Sequence, residues 1–457
     1  MDSLASSSSK ISWLWVLTHI IAPGLVLSGL YRYFTDPLRQ VPGPFIAKFM
    51  GAWMLYIDLS GQRSATVHRL HKIYGPAVHV GPSEVCFASP AALKDIYGAN
   101  SKYPKAPVYD SLGFRSTFTT RNRDEYRGMK KRIVPSFSST SISDIEPIVH
   151  RQLDLLVKSF DKRVGQPLNV LPWFRMLALG IVGEGFVDDS FGGLENEKLL
   201  ELLNHIDEVF PVLWTKWMFP LTTTILEYIP IKSIQSFLQA APKFKKYCSN
   251  AYEKYLATHN PSEHHDLIAR MELTNLMFAG TNTTGTTITY LFWELARHSE
   301  WILRLREEIN EALQGRDTFS YHEISELPIL EAVIQEILRV RPADPGGLQR
   351  LTPEEGAVVD GVTLPGRVII SCQAMSSQRE PTIFENPDRF NPQRWLDGRR
   401  TATLILATME LKCAAAIVAR RYNVKIGSPT TDSDMEMTDH FVLIPKGGKC
   451  LLELSMA

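Results

Sequence analysis

Residues Glu272–Glu294 read ELTNLMFAGTNTTGTTITYLFWE, and no charged side chain occurs between Leu273 and Trp293. A helix of this composition has no face that prefers water, so it must be buried. Its seven threonines and two glycines lower helix propensity, so tertiary packing has to stabilise it. Ala279 and Gly280 leave room for a large group against the backbone. The stretch predicts a buried helix that borders a cavity. A plain core helix is one alternative, and a second membrane span of about 20 residues is the other.

The composition is that of an ordinary globular protein. Of the 457 residues, 44% are hydrophobic and 21% are charged, which is ample for a large core. The formal net charge is zero, so nothing indicates a nucleic-acid partner. The five cysteines are odd in number and scattered, without a CxxC pair. This usage indicates a reducing compartment rather than a disulfide framework.

The N-terminal 48 residues predict a membrane anchor followed by a hinge. Residues 1–10 form a short polar terminus, and residues 11–33 form an apolar transmembrane segment with aromatic residues near its ends, as in interfacial belts. Residues 34–48 contain PLRQVPGP, a stiff proline-rich connector. More basic residues follow the segment than precede it, so the next domain should face the cytoplasm. A cleavable signal peptide is the alternative, but the apolar run is long for one.

The rest of the chain changes from helical to strand patterns. Ala77–Phe87 alternates like two short strands, helical periodicity dominates residues 90–314, and Leu327–Val340 is a further helix. Val358–Ser371 and Phe441–Leu454 read as strands that fold around glycine-containing turns. The predicted fold class is mainly α with small β-sheets (α+β).

Five short motifs occur in a recognisable order. They are VPGP at Val41–Pro44, AGTNTT at Ala279–Thr284, EILR at Glu336–Arg339, PDRF at Pro387–Phe390 (continuing to Pro392 and Trp395) and LATMEL at Leu406–Leu411. Together they resemble the hinge, the oxygen-binding helix, the ExxR helix, the meander and the helix after the haem-binding loop of the cytochrome P450 family. Within that family, the sequence most resembles the fungal microsomal members. The resemblance covers nearly the whole chain and makes residues 49–457 a single P450-like domain behind an N-terminal membrane anchor.

This resemblance implies a haem-dependent monooxygenase with haem b as cofactor and dioxygen as co-substrate. Electrons would come from NADPH-cytochrome P450 reductase, and the substrate would be a small apolar molecule of the secondary-metabolite kind. The resemblance also implies attachment to the endoplasmic reticulum membrane, with the domain facing the cytoplasm.

The resemblance further implies roles for single residues. Thr283 corresponds to the threonine that helps deliver protons during oxygen activation; plain core packing is its alternative. Asn282 stands where relatives carry an acid, and an amide can orient water but cannot carry a proton. The residues implied to contact haem are Ala279, Gly280, Lys130, Lys131, Arg132, Arg379 and Arg399. For each of the basic residues, a solvated surface is the alternative.

Glu336 and Arg339 are three residues apart, so they share one helix face and can pair. A solvated surface bridge is the alternative. The resemblance implies a buried pair that gains a third member from the meander, with Arg389 as the candidate. Such a triad would stabilise the folded structure rather than take part in catalysis.

One element that the resemblance leads us to expect is missing. The haem-binding loop FxxGxRxCxG should precede the LATMEL helix, yet residues 395–404 read WLDGRRTATL. Arg399 matches this pattern, whereas Thr401 occupies the position of the cysteine that binds iron. No histidine or tyrosine lies between His322 and Tyr422 to replace it. We therefore predict that the loop near residues 396–404 is deleted and that this chain holds no metal ligand there.

A second shortfall lies near Leu267–Leu273, where relatives of this kind carry an additional helical segment and loop. Both missing segments are short, and the sequence on either side of each one matches the family well. This pattern indicates coding segments that were skipped in the transcript or gene model rather than gradual divergence of the sequence. The alternative function is therefore a catalytically inactive, truncated or mis-spliced P450-like protein without an axial thiolate.

Overall fold

A computed structural model of the protein describes residues 22–112, 115–138, 141, 143–218, 220–258, 266–396 and 405–457. The helices are α1 (Ala22–Thr35), α2 (Gly51–Leu59), α3 (Arg63–Tyr74), α4 (Pro90–Tyr97), α5 (Arg123–Ile133), α6 (Glu146–Asp161), α7 (Val170–Val187), α8 (Glu201–Met218), α9 (Pro220–Glu227), α10 (Lys232–Leu238), α11 (Ala240–Thr258), α12 (Asp266–Arg297), α13 (Ser299–Leu313), α14 (Tyr321–Ile324), α15 (Pro328–Val340), α16 (Ala374–Ser377), α17 (Gln393–Leu396) and α18 (Ile405–Arg421). The strands are β1 (Ala77–Gly81), β2 (Glu84–Phe87), β3 (Pro167–Asn169), β4 (Arg350–Leu351), β5 (Ala357–Val359), β6 (Val362–Leu364), β7 (Ile369–Cys372), β8 (Tyr422–Ile426), β9 (Met437–His440), β10 (Val442–Pro445) and β11 (Leu451–Met456). The mainly helical fold class with small sheets is confirmed.

The strands form small sheets. One has the order β1-β2-β7-β4, with β2 and β7 parallel; another has the order β3-β11-β8; β5-β6 and β9-β10 are hairpins. The predicted strand pair in Ala77–Phe87 is confirmed as β1 and β2. The strands predicted in Phe441–Leu454 exist, but they do not pair with each other. β10 joins β9, whereas β11 lies between β3 and β8.

The helix predicted from the uncharged stretch is confirmed as part of α12, which runs for 32 residues through the centre of the domain. Tyr290, Phe292 and Trp293 are fully buried on it. The Phe292 ring stacks on Phe174 of α7 at 5.5 Å between centroids. Burial of such large side chains compensates for the weak helix propensity of the threonine-rich centre.

The two glycines of α12 let α7 approach its backbone. A Cβ atom on Gly285 would come within 2.7 Å of the Cα atom of Arg175, and one on Gly280 within 2.6 Å of Cγ2 of Val182. These distances are far below van der Waals contact. Glycine is therefore required here for helix-to-helix packing.

We expect Gly285→Ala to lower the free energy of unfolding by about 1–3 kcal/mol, because the added methyl group meets backbone atoms that cannot move aside. Urea melts measure the change. Gly128→Ala on α5 is the matched control, since nothing lies within 4 Å of its Cβ position. The control should raise stability by up to about 1 kcal/mol through helix propensity. Equal effects of the two substitutions would contradict close packing at Gly285.

Residues 11–21 of the predicted anchor (residues 11–33) lie outside the described residues. Its described end belongs to α1, on which Leu27, Tyr31 and Phe34 are exposed. Within the described ranges, one helix is long and apolar enough to cross a membrane, namely α7. Most of α7 is buried in the interior, so we interpret it as a core helix.

Candidate functional site

The open side of α12 lies at Ala279 and Thr283. Ala279 is exposed although the adjacent Phe278 is buried, and Thr283, one turn further on, is half-buried. The Thr283 hydroxyl donates to the backbone carbonyl of Ala279 at 2.5 Å. A methyl group and a threonine therefore border open space in the middle of a core helix. This surface fits a flat apolar group lying against Ala279, as the sequence predicts.

Thr283 is one of four threonines of α12 whose hydroxyls donate to backbone carbonyls of the same helix, whereas the buried hydroxyl of Thr286 has no partner in the described part of the chain. Each of three more donates to the carbonyl four residues earlier, at 2.6–2.8 Å: Thr281 to Met277, Thr287 to Thr283 and Thr289 to Gly285. Such bonds let a threonine-rich helix persist where no water is available.

Asn282 faces a different direction from Thr283. Its Oδ1 accepts from Nε of Arg175 at 2.9 Å, and its Nδ2 donates to Oδ1 of Asp207 at 2.9 Å. Arg175 also binds both carboxylate oxygens of Asp207, at 2.7 and 3.0 Å. Both ends of the Asn282 amide are thus occupied in a cluster that joins α7, α8 and α12. Asn282 therefore contributes to this cluster, and the role in oxygen activation that the resemblance implies for it stays a prediction.

Gly280 also differs from expectation. We predicted that it would leave room for the cofactor, but its open side is filled by Val182 of α7. Of the two small residues, only Ala279 borders open space. Sequence alone cannot separate these uses, because a glycine admits a ligand or a neighbouring helix equally well.

The ExxR pair forms and is fully buried. Arg339 binds Glu336 through Nε and Nη2, each at 2.9 Å. The third member is Arg394, whose Nε lies 3.1 Å from Oε1 of Glu336. Our prediction of Arg389 for this role is wrong, because its side chain is exposed and its backbone carbonyl accepts from Arg339 instead. Trp395 adds an indole N–H to Oε2 of Glu336 at 2.8 Å.

The basic residues predicted to contact haem have different environments. Lys130, Lys131 and Arg132 are exposed on the last turn of α5, where cations suit the helix dipole. Arg379 is buried, and it pairs with Asp388 at 3.0 Å and donates to the carbonyl of Val340. Burial lowers the pKa of Arg379 to about 10. Because these bonds occupy its guanidinium, Arg379 has a structural role here, contrary to expectation.

The described cysteines do not fit an iron-binding thiolate. All five are buried. Burial raises the pKa of Cys86 to about 11 and that of Cys450 to about 12, and it raises the pKa values of Cys372 and Cys413 further. Iron requires the deprotonated sulfur, so these environments oppose ligation. Arg399 and Thr401 lie outside the described residues.

The start of α18 carries an orphaned carboxyl group. Glu410 is fully buried, and its Oε2 has no hydrogen-bond partner in the described part of the chain. Burial raises the pKa of Glu410 well above its ordinary value, because the charged form is desolvated there. The open Ala279 face thus fits the cofactor's ring, whereas the five cysteines, all within the described ranges, lie in environments that oppose binding to iron.

Comparison with known proteins explains this mixture of features. The family model for cytochrome P450 matches residues 41–403. The chain is 29% identical to the cytochrome P450 monooxygenase tazI of Aspergillus terreus, across 94% of this chain and 96% of that protein. It is 28% identical to tryprostatin B 6-hydroxylase of Aspergillus fumigatus, across 80% of this chain and 68% of that protein.

A solved P450 structure supports the likeness of the fold, and the length of the alignment with tazI shows where the two sequences differ. The crystal structure of the cytochrome P450DA heme domain superposes with a TM-score of 0.74 at 14% identity, covering 91% of this chain and 98% of that one. The alignment with tazI runs over 481 positions, more than the 457 residues of this chain. The relative therefore carries internal segments that have no counterpart here. With its fold, its buried ExxR pair and its sequence all in agreement, the chain belongs to the cytochrome P450 family.

Proposed function

We propose that this protein has the scaffold of a haem-dependent monooxygenase that oxidises a small apolar molecule of secondary metabolism. The observation that carries the proposal is the open Ala279–Thr283 face on an otherwise buried helix. Haem b, when bound, would supply the oxidation chemistry. The relatives are fungal monooxygenases, one of them a hydroxylase by name.

The proposal includes a place in the cell and an electron donor. Electrons would come from NADPH-cytochrome P450 reductase, as the family resemblance implies. The protein would sit on the endoplasmic reticulum with residues 49–457 facing the cytoplasm. Two features support that side of the membrane: the basic residues that follow the anchor, and five cysteines that form no disulfide.

A second candidate function is favoured by the missing cysteine. No cysteine lies between Cys372 and Cys413, and Thr401 takes the ligand position. The polypeptide would then be a P450-like protein that binds apolar ligands without redox chemistry. Skipped coding segments would explain both the lost loop and the longer alignment with tazI.

A loop graft separates the two candidates. We expect the unmodified protein to melt cooperatively but to give no thiolate-type Soret band in a reduced carbon-monoxide difference spectrum. Replacing residues 397–403 by a loop of the FxxGxRxCxG pattern should create that band. The matched control carries serine at the cysteine position of the same loop and should give none.

The outcomes have separate meanings. A thiolate-type band from the unmodified protein would overturn the second candidate. A grafted protein that melts cooperatively yet binds no haem would overturn the first, because the scaffold would then lack a haem cavity. Transcript sequencing tests the skipped segments: a message that encodes this chain without extra segments contradicts them.

A further inference from the structure

The loop between α16 and α17 borders a polar cleft of about 420 Å³. Ile383 lines it, and its other lining residues all carry a charged or an amide side chain: Glu385, Asn386, Arg389, Asn391, Gln393 and Arg394. Pockets for small apolar molecules are lined mainly by hydrophobic and aromatic side chains. This cleft therefore suits a charged ligand.

The triad beside the cleft carries more positive than negative charge. Arg339 and Arg394 share the single carboxylate of Glu336. A guanidinium has five N–H donors, and Arg339 uses all of them, two on Glu336 and three on backbone carbonyls. The Glu336 carboxylate already accepts five hydrogen bonds, so it has no room for more. The unused donors of the triad therefore belong to Arg394.

Arg394 places these unused donors at the wall of the cleft. Its side chain is only 10% exposed. Nη1 donates to the backbone carbonyl of Glu385 at 3.1 Å, whereas the buried Nη2 has no partner in the described part of the chain. Glu385 and Arg394 both line the cleft, so the outer end of the guanidinium lies there. A buried donor without an acceptor is costly, and an anion in the cleft would supply the acceptor.

Arg389 brings a second cation to the same cleft. The triad uses only its backbone carbonyl, which accepts from Arg339. The Arg389 side chain is exposed and has no hydrogen bond or ion pair with any described residue. Glu385 is exposed at the cleft too, but within the described ranges the two side chains do not pair. The Arg389 guanidinium is therefore available to a ligand, and Glu385 lowers the positive potential of the cleft without filling it.

We propose that this cleft binds a phosphate-type oxyanion, either inorganic phosphate or the phosphate group of a small monoester. Arg389 holds the anion from the solvent side and Arg394 from the interior side, and the amide groups of Asn391 and Gln393 offer further donors. Guanidiniums bind such oxygens through paired N–H groups. A tetrahedral phosphate presents oxygens in several directions and can reach both arginines, whereas a planar carboxylate presents two. The bound anion also neutralises the surplus charge of the triad, and the inference is independent of haem.

Isothermal titration calorimetry tests the site on the full chain in detergent micelles. Inorganic phosphate and glycerol 3-phosphate are titrated at pH 8 and constant ionic strength, because salt screens exposed charges. We expect saturable binding. Arg389→Gln should weaken it by about tenfold or more, the effect of losing a hydrogen bond between charged groups. The urea midpoint of this variant should stay that of the wild type. Arg69→Gln is the matched control, since Arg69 is an exposed arginine on α3, outside the cleft, and it should bind phosphate like the wild type.

Glu385→Gln should bind phosphate several-fold more tightly than the wild type, because it removes the negative charge from the cleft and keeps the backbone carbonyl that Arg394 uses. The site is overturned if the wild type shows no saturable phosphate binding, or if the Arg389→Gln and Arg69→Gln proteins bind phosphate equally well. Tighter binding of glycerol 3-phosphate than of phosphate assigns the site to small phosphomonoesters. Equal or weaker binding of the ester assigns it to free phosphate, and both results uphold the anion site.

Discussion

Glu336→Ala is expected to remove the cooperative unfolding transition of this protein or to lower its stability by about 3–5 kcal/mol, the usual cost of breaking a buried ion pair. The Glu336 carboxylate accepts hydrogen bonds from Nε and Nη2 of Arg339 and from Nε of Arg394. It also accepts from the indole N–H of Trp395 and from the backbone N–H of Asn391, the latter at 2.7 Å. Without it, two guanidiniums remain in an apolar interior with no counter-ion. That loss is a large share of the roughly 5–15 kcal/mol that stabilises a typical domain.

The measurement is a urea melt followed by circular dichroism, with size-exclusion chromatography to detect aggregation. Glu354→Ala is the control: Glu354 also pairs with an arginine, Arg367, but both side chains are exposed. We expect no measurable shift from that control. A Glu336→Ala protein that is monomeric and unfolds at the same urea concentration as the wild type would contradict a stabilising role for Glu336. Glu336→Gln should fall between the two, because it keeps the shape of the side chain and loses the charge.

The meander shows where sequence reasoning reaches its limit. P-x-R-aromatic occurs twice within nine residues, at Pro387–Phe390 and at Pro392–Trp395. Either copy could supply the third member of the triad, and the first was chosen wrongly. Spacing alone cannot decide, because the direction of each side chain depends on the turns between the two copies. Trp395, whose indole reaches the same carboxylate, is the feature that distinguishes the second copy.

The long central helix was predictable for a simple reason. A run of about twenty residues without charge has to be buried in any soluble domain. The corresponding part of α12 is mostly buried in the structure.

The cluster around Arg175 was not predicted, although the sequence contains a signal for it. Arg175 is the lone cation in the apolar helix α7, and a buried guanidinium needs a partner. The identity of that partner, 32 residues away on α8, could only come from the packing of the helices.

The second large effect is expected from Asn282→Asp. The amide nitrogen that donates to Asp207 becomes a carboxylate oxygen, and two negative oxygens then lie about 3 Å apart beneath one guanidinium. A lost hydrogen bond to a charged group costs about 1.5–3 kcal/mol, and like-charge repulsion adds to it. We therefore expect the free energy of unfolding, measured by urea melts at pH 8, to fall by about 2–4 kcal/mol. Arg175 offsets only part of the repulsion between the two carboxylates.

The loss should depend on pH in a defined direction. In the folded Asn282→Asp variant the two carboxyl groups share a proton, so one of them titrates above its unfolded value of about 3.9. A group whose folded pKa is raised contributes stability that is present below the unfolded pKa and is lost as pH rises through the folded pKa. The variant should therefore be closest to the wild type near pH 4, and the difference should grow toward pH 8.

Adding Asp207→Asn to the Asn282→Asp variant exchanges the two groups between α8 and α12. The new amide can donate to the new carboxylate, and Arg175 again faces a single negative charge. We expect this double variant to regain at least half of the stability lost at pH 8 and to lose the added pH dependence. Its coupling free energy should be about 1–3 kcal/mol, within the range of directly contacting residues. If the double variant is no more stable than Asn282→Asp alone, the three side chains do not act as one unit. The hydrogen bonds that join α7, α8 and α12 would then contribute little to holding these helices together.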